Sequence, residues 1–252
     1  MAKEHDNTVL KTINILEFLS NNPEGANLTD LALSLNYPKS TVFDILKSLI
    51  STGMIHYIDS KQKIYGIGSK AYKIGNTYLR ATNLYIIAKP YLIEIADKYK
   101  KTTFISKRDG DKFTFVYKYE SPNSLVKTAE TGDQKPLHST AIGKCYLAFD
   151  PTAFKSIDTI ELKPYTKYTI TNRNELKEQI EYIRKLGFSF EYRESQLHMS
   201  CVAAPIYNNE KSMISTISMS GLYLENEDLK IQGFELKKLA KIISEKIGYI
   251  EK

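Results

Sequence analysis

Residues 27–53 read NLTDLALSLNYPKSTVFDILKSLISTG, and this stretch decides the fold of the first domain. Thr29 suits a helix N-cap, because its hydroxyl can accept a backbone N–H of the first turn. Leu28 precedes that cap and Leu33 follows it by four residues, the spacing of a hydrophobic staple. The helix is short. Asn36 follows Leu35, and asparagine tolerates the left-handed backbone of a sharp turn. Pro38 then suits the first turn of another helix, where its missing N–H is not needed. Val42, Ile45, Leu46 and Leu49 recur at i, i+3, i+4 and i+7, so they share one face, and Gly53 closes the helix. Short helix, tight turn and longer helix predict a helix-turn-helix.

Outward from this core, Asn7 to Ser20 carries Val9, Ile13, Leu16 and Leu19 at helical steps, and Asn21, Asn22, Pro23 and Gly25 end that helix. Downstream, Met54–Ile58 and Lys63–Ile67 read as two strands joined by the polar tip Asp59-Ser60-Lys61-Gln62, a wing. Residues 1–68 are therefore expected to form a winged helix-turn-helix. Residues 69–84 are expected to be a linker helix, with Ala71, Ile74, Gly75 and Tyr78 on a face open to another helix or to its own chain. Residues 85–252 are expected to form a second domain.

That second domain mixes strands and helices. Tyr85–Tyr99 is an amphipathic helix, and Thr103–Lys107 with Phe113–Tyr119 form a hairpin around Asp109-Gly110. Helices follow at Thr140–Phe149 and Asn174–Leu186, then strands at Phe188–Arg193, Met199–Tyr207 and Met213–Gly221. A last helix places Leu236, Leu239, Ala240, Ile243 and Ile247 on one side. The fold class is a two-domain α+β chain whose second domain is an antiparallel sheet with helices.

Composition narrows the function. The 252 residues are 42% hydrophobic and 25% charged, an ordinary globular balance with room for two cores. No apolar run reaches the ~18 residues of a membrane span, and Met1–Thr8 is polar, so a soluble cytoplasmic protein without signal peptide or membrane contact is expected. Cys145 and Cys201 are too few for a disulfide framework, and with four scattered histidines they form no zinc pattern, so no metal or cofactor is expected and both thiols read as reduced and buried. The net charge of +6 is unevenly spread. Residues 38–80 carry seven basic against two acidic side chains, whereas residues 1–37 carry two against five. A basic block beside an acidic one fits a DNA-facing surface, or a merely solvated one.

With Val42, Ile45, Leu46 and Leu49 committed to the core, Lys39, Ser40, Thr41, Phe43, Asp44 and Lys47 remain outside or at the margin. Lys39, Ser40 and Thr41 stand in the first turn, where such helices meet DNA, and the helix N-terminus itself favours phosphate. Phe43 reads either as a contact to a thymine methyl or as a half-buried edge residue. Asp44 would repel phosphate unless it accepts from a cytosine amino group or holds a lysine. Lys61 and Lys63 on the wing reach the backbone or the minor groove, and Thr29 belongs to the same candidate surface. One such module gives a modest interface, so a dimer on a two-part DNA operator is expected.

At this point the residues resemble a family. Asn27-Leu28-Thr29-Asp30-Leu31-Ala32, Tyr37-Pro38-Lys39-Ser40-Thr41-Val42 and Leu49-Ile50-Ser51-Thr52-Gly53-Met54-Ile55 resemble the helix-turn-helix of the isocitrate-lyase-regulator (IclR) family. Pro136-Leu137-His138-Ser139-Thr140-Ala141-Ile142-Gly143-Lys144 looks like that family's helix-opening motif, and Cys201-Val202-Ala203-Ala204-Pro205-Ile206 with Ile217-Ser218-Met219-Ser220-Gly221 looks like its two sheet strands. The resemblance implies a GAF-like effector domain, a transcriptional repressor of a catabolic operon, a homodimer that often pairs into a tetramer, and a small metabolite that alters operator binding. By motif match the effector site would hold Leu125, Ala141, Ile142, Glu191, Met199, Cys201, Ser218 and Ser220. Departures are His198 and Lys211 where the family has glycine and Leu222 where it often has proline; His198 puts the local backbone in question.

Read physically, Thr140 caps a helix whose N–H groups at Ala141, Ile142 and Gly143 face a carboxylate. Ser218 and Ser220 alternate to one side of a strand and offer donors, unless they bond backbone. This suits a small carboxylic or keto acid, although Glu191 opposes an anion unless protonated or turned away. Two rivals are weighed. Cys201 and His138 would form a nucleophile and base in an enzyme, but Cys201 sits in an apolar strand and the chain lacks phosphate-loop, HExxH and GxSxG motifs, so no catalytic residue is assigned. The other rival is a winged helix used only for protein contacts.

Overall fold

The computed structural model describes residues 8–80 and 84–250, with side chains to residue 75 in the first stretch. The chain divides into two compact units, residues 1–81 and 82–252.

The first unit runs α1 (Thr8–Ser20), α2 (Leu28–Leu35), α3 (Lys39–Thr52), β1 (Ile55–Asp59), β2 (Ile64–Ile67) and α4 (Ser69–Arg80). Its core gathers Ile15, Leu19, Leu31, Val42, Leu46 and Ile55. Asn36 (φ 54°) and Gly53 (φ 75°) end α2 and α3 in the left-handed conformation, as their residue types require. Ala26 adds a third short strand to the wing through paired backbone bonds with Tyr65 (3.1 and 2.9 Å).

Three local expectations are corrected. The cap of α2 is Asn27: its side chain accepts from the N–H of Thr29 (2.8 Å) and of Asp30 (3.0 Å), and Asp30 reaches back to the Asn27 N–H (3.4 Å). Thr29 is thus already inside the helix, and the staple pair becomes Ala26 with Leu31, both buried, while Leu33 is 74% exposed. Pro38 stands just before α3 rather than in its first turn. In α1 the buried residues are Ile15 and Leu19, whereas Val9 (66%) and Ile13 (46%) are exposed. That helix is apolar on two sides, and periodicity alone does not say which side meets its own core. In α4, Tyr72 and Gly75 are exposed; the side chain of Tyr78 lies outside the described residues.

The second unit runs α5 (Leu84–Tyr99), β3 (Thr102–Asp109), β4 (Lys112–Glu120), β5 (Gln134–Pro136), α6 (Ala141–Phe149), α7 (Pro151–Lys155), α8 (Arg173–Leu186), β6 (Ser189–Tyr192), β7 (Met199–Tyr207), β8 (Met213–Leu222) and α9 (Leu229–Lys246). The strands form one sheet in the order β5-β4-β3-β8-β7-β6, with every neighbouring pair antiparallel. Cys201 and Ala203 join α6 and α8 in the main core, while Val202, Ala204 and Ile206 alternate to the opposite face and are equally buried. Both faces of β7 are therefore covered, and α9 lies along it. The short β5 and α7 lack a periodic signature and are legible only through their contacts. Arg193, expected as the end of β6, instead turns left-handed (φ 61°). Lys211 does the same (φ 60°), which accounts for a glycine preference there, whereas His198 is not among the left-handed residues.

Candidate functional site

Two sites are built, one in each unit. In the first, Pro38 offers no side-chain cap to α3, so the first-turn N–H groups of the helix receive no capping side chain. Lys39 and Ser40 are exposed there and Thr41 is half-buried. The Lys39 ammonium donates to the Thr29 hydroxyl at 3.2 Å, which joins the two helices at the turn. Asp44 and Lys47 continue the same exposed side, and Phe43 is 51% exposed. On the wing, Asp59 accepts from the N–H of Lys61 (2.7 Å) and of Gln62 (3.0 Å), and Lys63 turns left-handed (φ 53°). This turn presents Lys61 and Lys63 to solvent. All nine candidate DNA contacts thus lie on the described surface or at its margin. Exposed Tyr57, whose ring lies 5.0 Å from that of Tyr65, was not anticipated; an aromatic in a short strand carries no sign of which side is wet.

In the second unit a cavity of about 100 Å³ opens between the sheet and the start of α6. Of the expected effector residues, Ile142, Glu191, Met199, Cys201, Ser218 and Ser220 line it. Two do not. Leu125 is 72% exposed, and Ala141 is buried behind the wall, where its carbonyl accepts from Ser189 Oγ at 2.6 Å. The cap reading of Thr140 holds, but its hydroxyl takes the Gly143 N–H (3.0 Å), so that donor is spent. Sequence reasoning missed much of the remaining lining. Phe104, Phe113 and Phe115 form one aromatic wall, with ring centroids 4.5 and 5.2 Å apart. Thr128, Lys135, Ser139 and Tyr165 complete the polar side. The alternation of Phe113 and Phe115 was a usable signal; the others come together only through strand pairing.

The polar balance of the cavity is unusual. Among the described residues, the buried hydroxyls of Thr128 and Ser139 have no hydrogen-bond partner, and that of Ser218 meets only the weakly bonding Cys201 thiol. An unpaired buried hydroxyl costs about 1–3 kcal/mol, so a polar guest relieves the site. Ser220 donates weakly to the Ser200 carbonyl, at 3.5 Å, and also meets the Cys201 thiol. Glu191 is 2% exposed, and its two oxygens accept from the Glu194 N–H (2.8 Å) and the Ser195 hydroxyl (3.0 Å). Burial pushes its carboxyl up to about 7. Behind it the fully buried Lys144 ammonium pairs with Glu194. Burial pulls Lys144 down and pushes Glu194 up.

Burial also pushes the Cys201 thiol up, and that thiol faces the Val202 carbonyl at 3.6 Å. His138 bonds the Lys163 carbonyl at 2.9 Å. Among the described residues no three His, Cys, Asp or Glu side chains are grouped to hold a metal, and no helix is long and apolar enough to cross a membrane.

Comparisons with known proteins cover both units. The model of the IclR helix-turn-helix domain matches residues 8–59, and that of the bacterial transcriptional regulator IclR C-terminal domain matches residues 76–245. An uncharacterized HTH-type transcriptional regulator of Haemophilus influenzae is 31% identical over 96% of this chain and 92% of its own length. The DNA-binding transcriptional repressor YiaJ of Escherichia coli is 29% identical over 96% and 88%. Among solved structures, the Thermotoga maritima IclR superposes with a TM-score of 0.81 at 31% identity, covering 97% of this chain and 100% of that one. An IclR homolog from Microbacterium hydrocarbonoxydans complexed with 4-hydroxybenzoate has the same fold, with a TM-score of 0.84 at 16% identity over 96% and 99% of the two chains.

Proposed function

The chain belongs to the IclR family of bacterial transcriptional regulators, and on that premise we propose that it is a repressor of a catabolic operon whose hold on DNA is set by a small organic acid in the second-unit cavity. The observation that carries the reading is the cavity itself, a partly open space lined by buried hydroxyls at Thr128, Ser139 and Ser218 that lack a hydrogen-bonded oxygen or nitrogen partner among the described residues. The repressor sense follows the relative YiaJ, and effector control follows the 4-hydroxybenzoate complex of the Microbacterium homolog.

In this reading α3 enters the major groove by its Lys39-Ser40-Thr41 turn, with the wing lysines on the backbone. Two copies bind a two-part operator as a homodimer, which pairs further into a dimer of dimers. Exposed Leu10 and Ile13 on α1 and Tyr72 on α4 support self-association. The effector prefers one of two arrangements of the dimer, and closure over it changes the spacing of the two recognition helices. No metal or cofactor takes part, and the second unit carries no catalysis.

The test is fluorescence anisotropy of the full chain on DNA from upstream of its own gene, at fixed salt, with and without small acids, 4-hydroxybenzoate being the first. A shift in operator affinity with at least one acid, lost in Ser218→Ala, is expected. Operator affinity that no bound acid alters would overturn the sensor reading.

A further inference from the structure

A second cleft, of about 380 Å³, lies in the second unit at the edge of the sheet where β6 stops. β6 begins at Ser189, opposite Ala203, so β7 beyond Ala203 has β8 on one side and no strand on the other. Phe149 at the end of α6, Gly187 after α8, the α9 helix and Tyr249 bound the space. It shares no lining residue with the first cavity.

The cleft offers no backbone donor to an added strand. Pro205 has no N–H, and the Tyr207 N–H, two residues on and on the same side of β7, donates to Ser244 Oγ at 3.0 Å. What the cleft offers is side chains. Phe149, Tyr207, Phe234 and Tyr249 supply rings. Gly248 turns left-handed (φ 101°) and brings Tyr249 back, so that its ring stacks on Tyr207 with centroids 5.5 Å apart and planes at 30°. From α9 come Lys237, Lys238 and Lys241, on the side of the helix that also carries Phe234 and Ser244.

Among the described residues no acidic side chain and no arginine lines the cleft. Lys237 spends one donor on the Leu186 carbonyl (2.9 Å) and keeps two. Lys238 makes no ion pair among the described residues. Like charges one helical turn apart repel, and an anion between them relieves that repulsion. Ammonium groups hold a phosphate as point charges, whereas a carboxylate is best matched by the planar fork of an arginine. A bare phosphate would leave the rings uncovered; a flat base stacks on them.

We propose that this cleft binds a nucleoside monophosphate, its base against Tyr207 and Tyr249 and its phosphate against Lys237, Lys238 and Lys241. The site is separate from the first cavity, so the protein holds a nucleotide and an organic acid at once. Charge-assisted bonds to the phosphate and stacking of the base each give selectivity of about tenfold or more over a compound that lacks that part.

The test is calorimetric titration of the full-length chain with AMP, GMP, CMP and UMP, with the matching nucleosides, and with ribose 5-phosphate. At least one nucleotide binds about tenfold tighter than its nucleoside and than ribose 5-phosphate. Lys238→Gln removes its advantage over the nucleoside, and Tyr249→Leu, which keeps an apolar contact without a ring face, removes its advantage over ribose 5-phosphate. The wild-type preference decides the matter even where a variant fails to fold.

A nucleotide that binds no tighter than its nucleoside or than ribose 5-phosphate, a preference that either folded variant keeps, or no binding by any compound overturns the assignment. So does a thymidine decanucleotide that binds about tenfold tighter than every mononucleotide and loses that affinity in Lys238→Gln; the cleft is then a groove for a nucleic acid chain.

Discussion

The Lys144 ammonium on α6 and the Glu194 carboxylate in the turn after β6 form a buried ion pair, with the lysine fully enclosed. This pair ties the helix that opens the cavity to the turn that supplies Ser195 and holds Glu191. Removing one partner strands a buried charge. Lys144→Met is expected to destabilise the second unit by about 3–5 kcal/mol, and the double variant Lys144→Met with Glu194→Leu to recover most of that loss. Denaturant unfolding of the single and double variants measures both. Equal losses in the single and double variants would show that packing, not charge, is at stake.

The first unit offers a cap test. Asn27→Ala removes the acceptor of two N–H groups and is expected to cost about 1 kcal/mol of stability. Thr29→Ala, inside the helix, should cost little. Thermal melts of the two variants distinguish Asn27 from Thr29 as the cap, and a reversed order contradicts the assigned one.

On DNA, Lys39→Ala should weaken binding to operator and unrelated sequences alike and reduce the slope of log affinity against log salt by about one unit, as the loss of a phosphate contact does. Anisotropy titrations at several salt concentrations read this slope. An unchanged slope would place Lys39 off the backbone and leave it to its bond with Thr29.

Glu191 makes stability depend on pH. Its carboxyl titrates near 4.5 when free and about 7 when folded. Folding thus favours the protonated form. The contribution is complete below 4.5 and is lost as pH rises through 7, by up to about 3 kcal/mol. The wild-type melting temperature should fall from pH 5 to pH 8, and that of Glu191→Gln should fall less. Parallel profiles would assign the pH dependence to other groups.

Gly143 answers a packing question. A Cβ there would lie 2.2 Å from the Leu137 carbonyl oxygen and 2.3 Å from its Cα, backbone atoms that cannot swing aside. Gly143→Ala should displace the start of α6 and lower the melting temperature by several degrees, whereas Gly75→Ala, with nothing within 4 Å, should not.

How far the sequence reaches depends on how local each signal is. Asn36, Gly53, Thr140 and the repeat of Val42, Ile45, Leu46 and Leu49 act over one or two turns, so the helices, the wing and the long antiparallel strands could be located from the chain alone. The lining positions Ile142, Glu191, Met199, Cys201, Ser218 and Ser220 are legible too, through motifs. Distant partners decided the rest. The neighbours of α1 chose Ile15 over Ile13, whereas the cap of α2 lies in the local box of Asn27 and Asp30. Lys135, the phenylalanine wall and the Lys144–Glu194 pair exist as a site only because β5 and β6 close the two edges of one sheet. Strand order joins residues far apart in sequence, and no short-range preference encodes it.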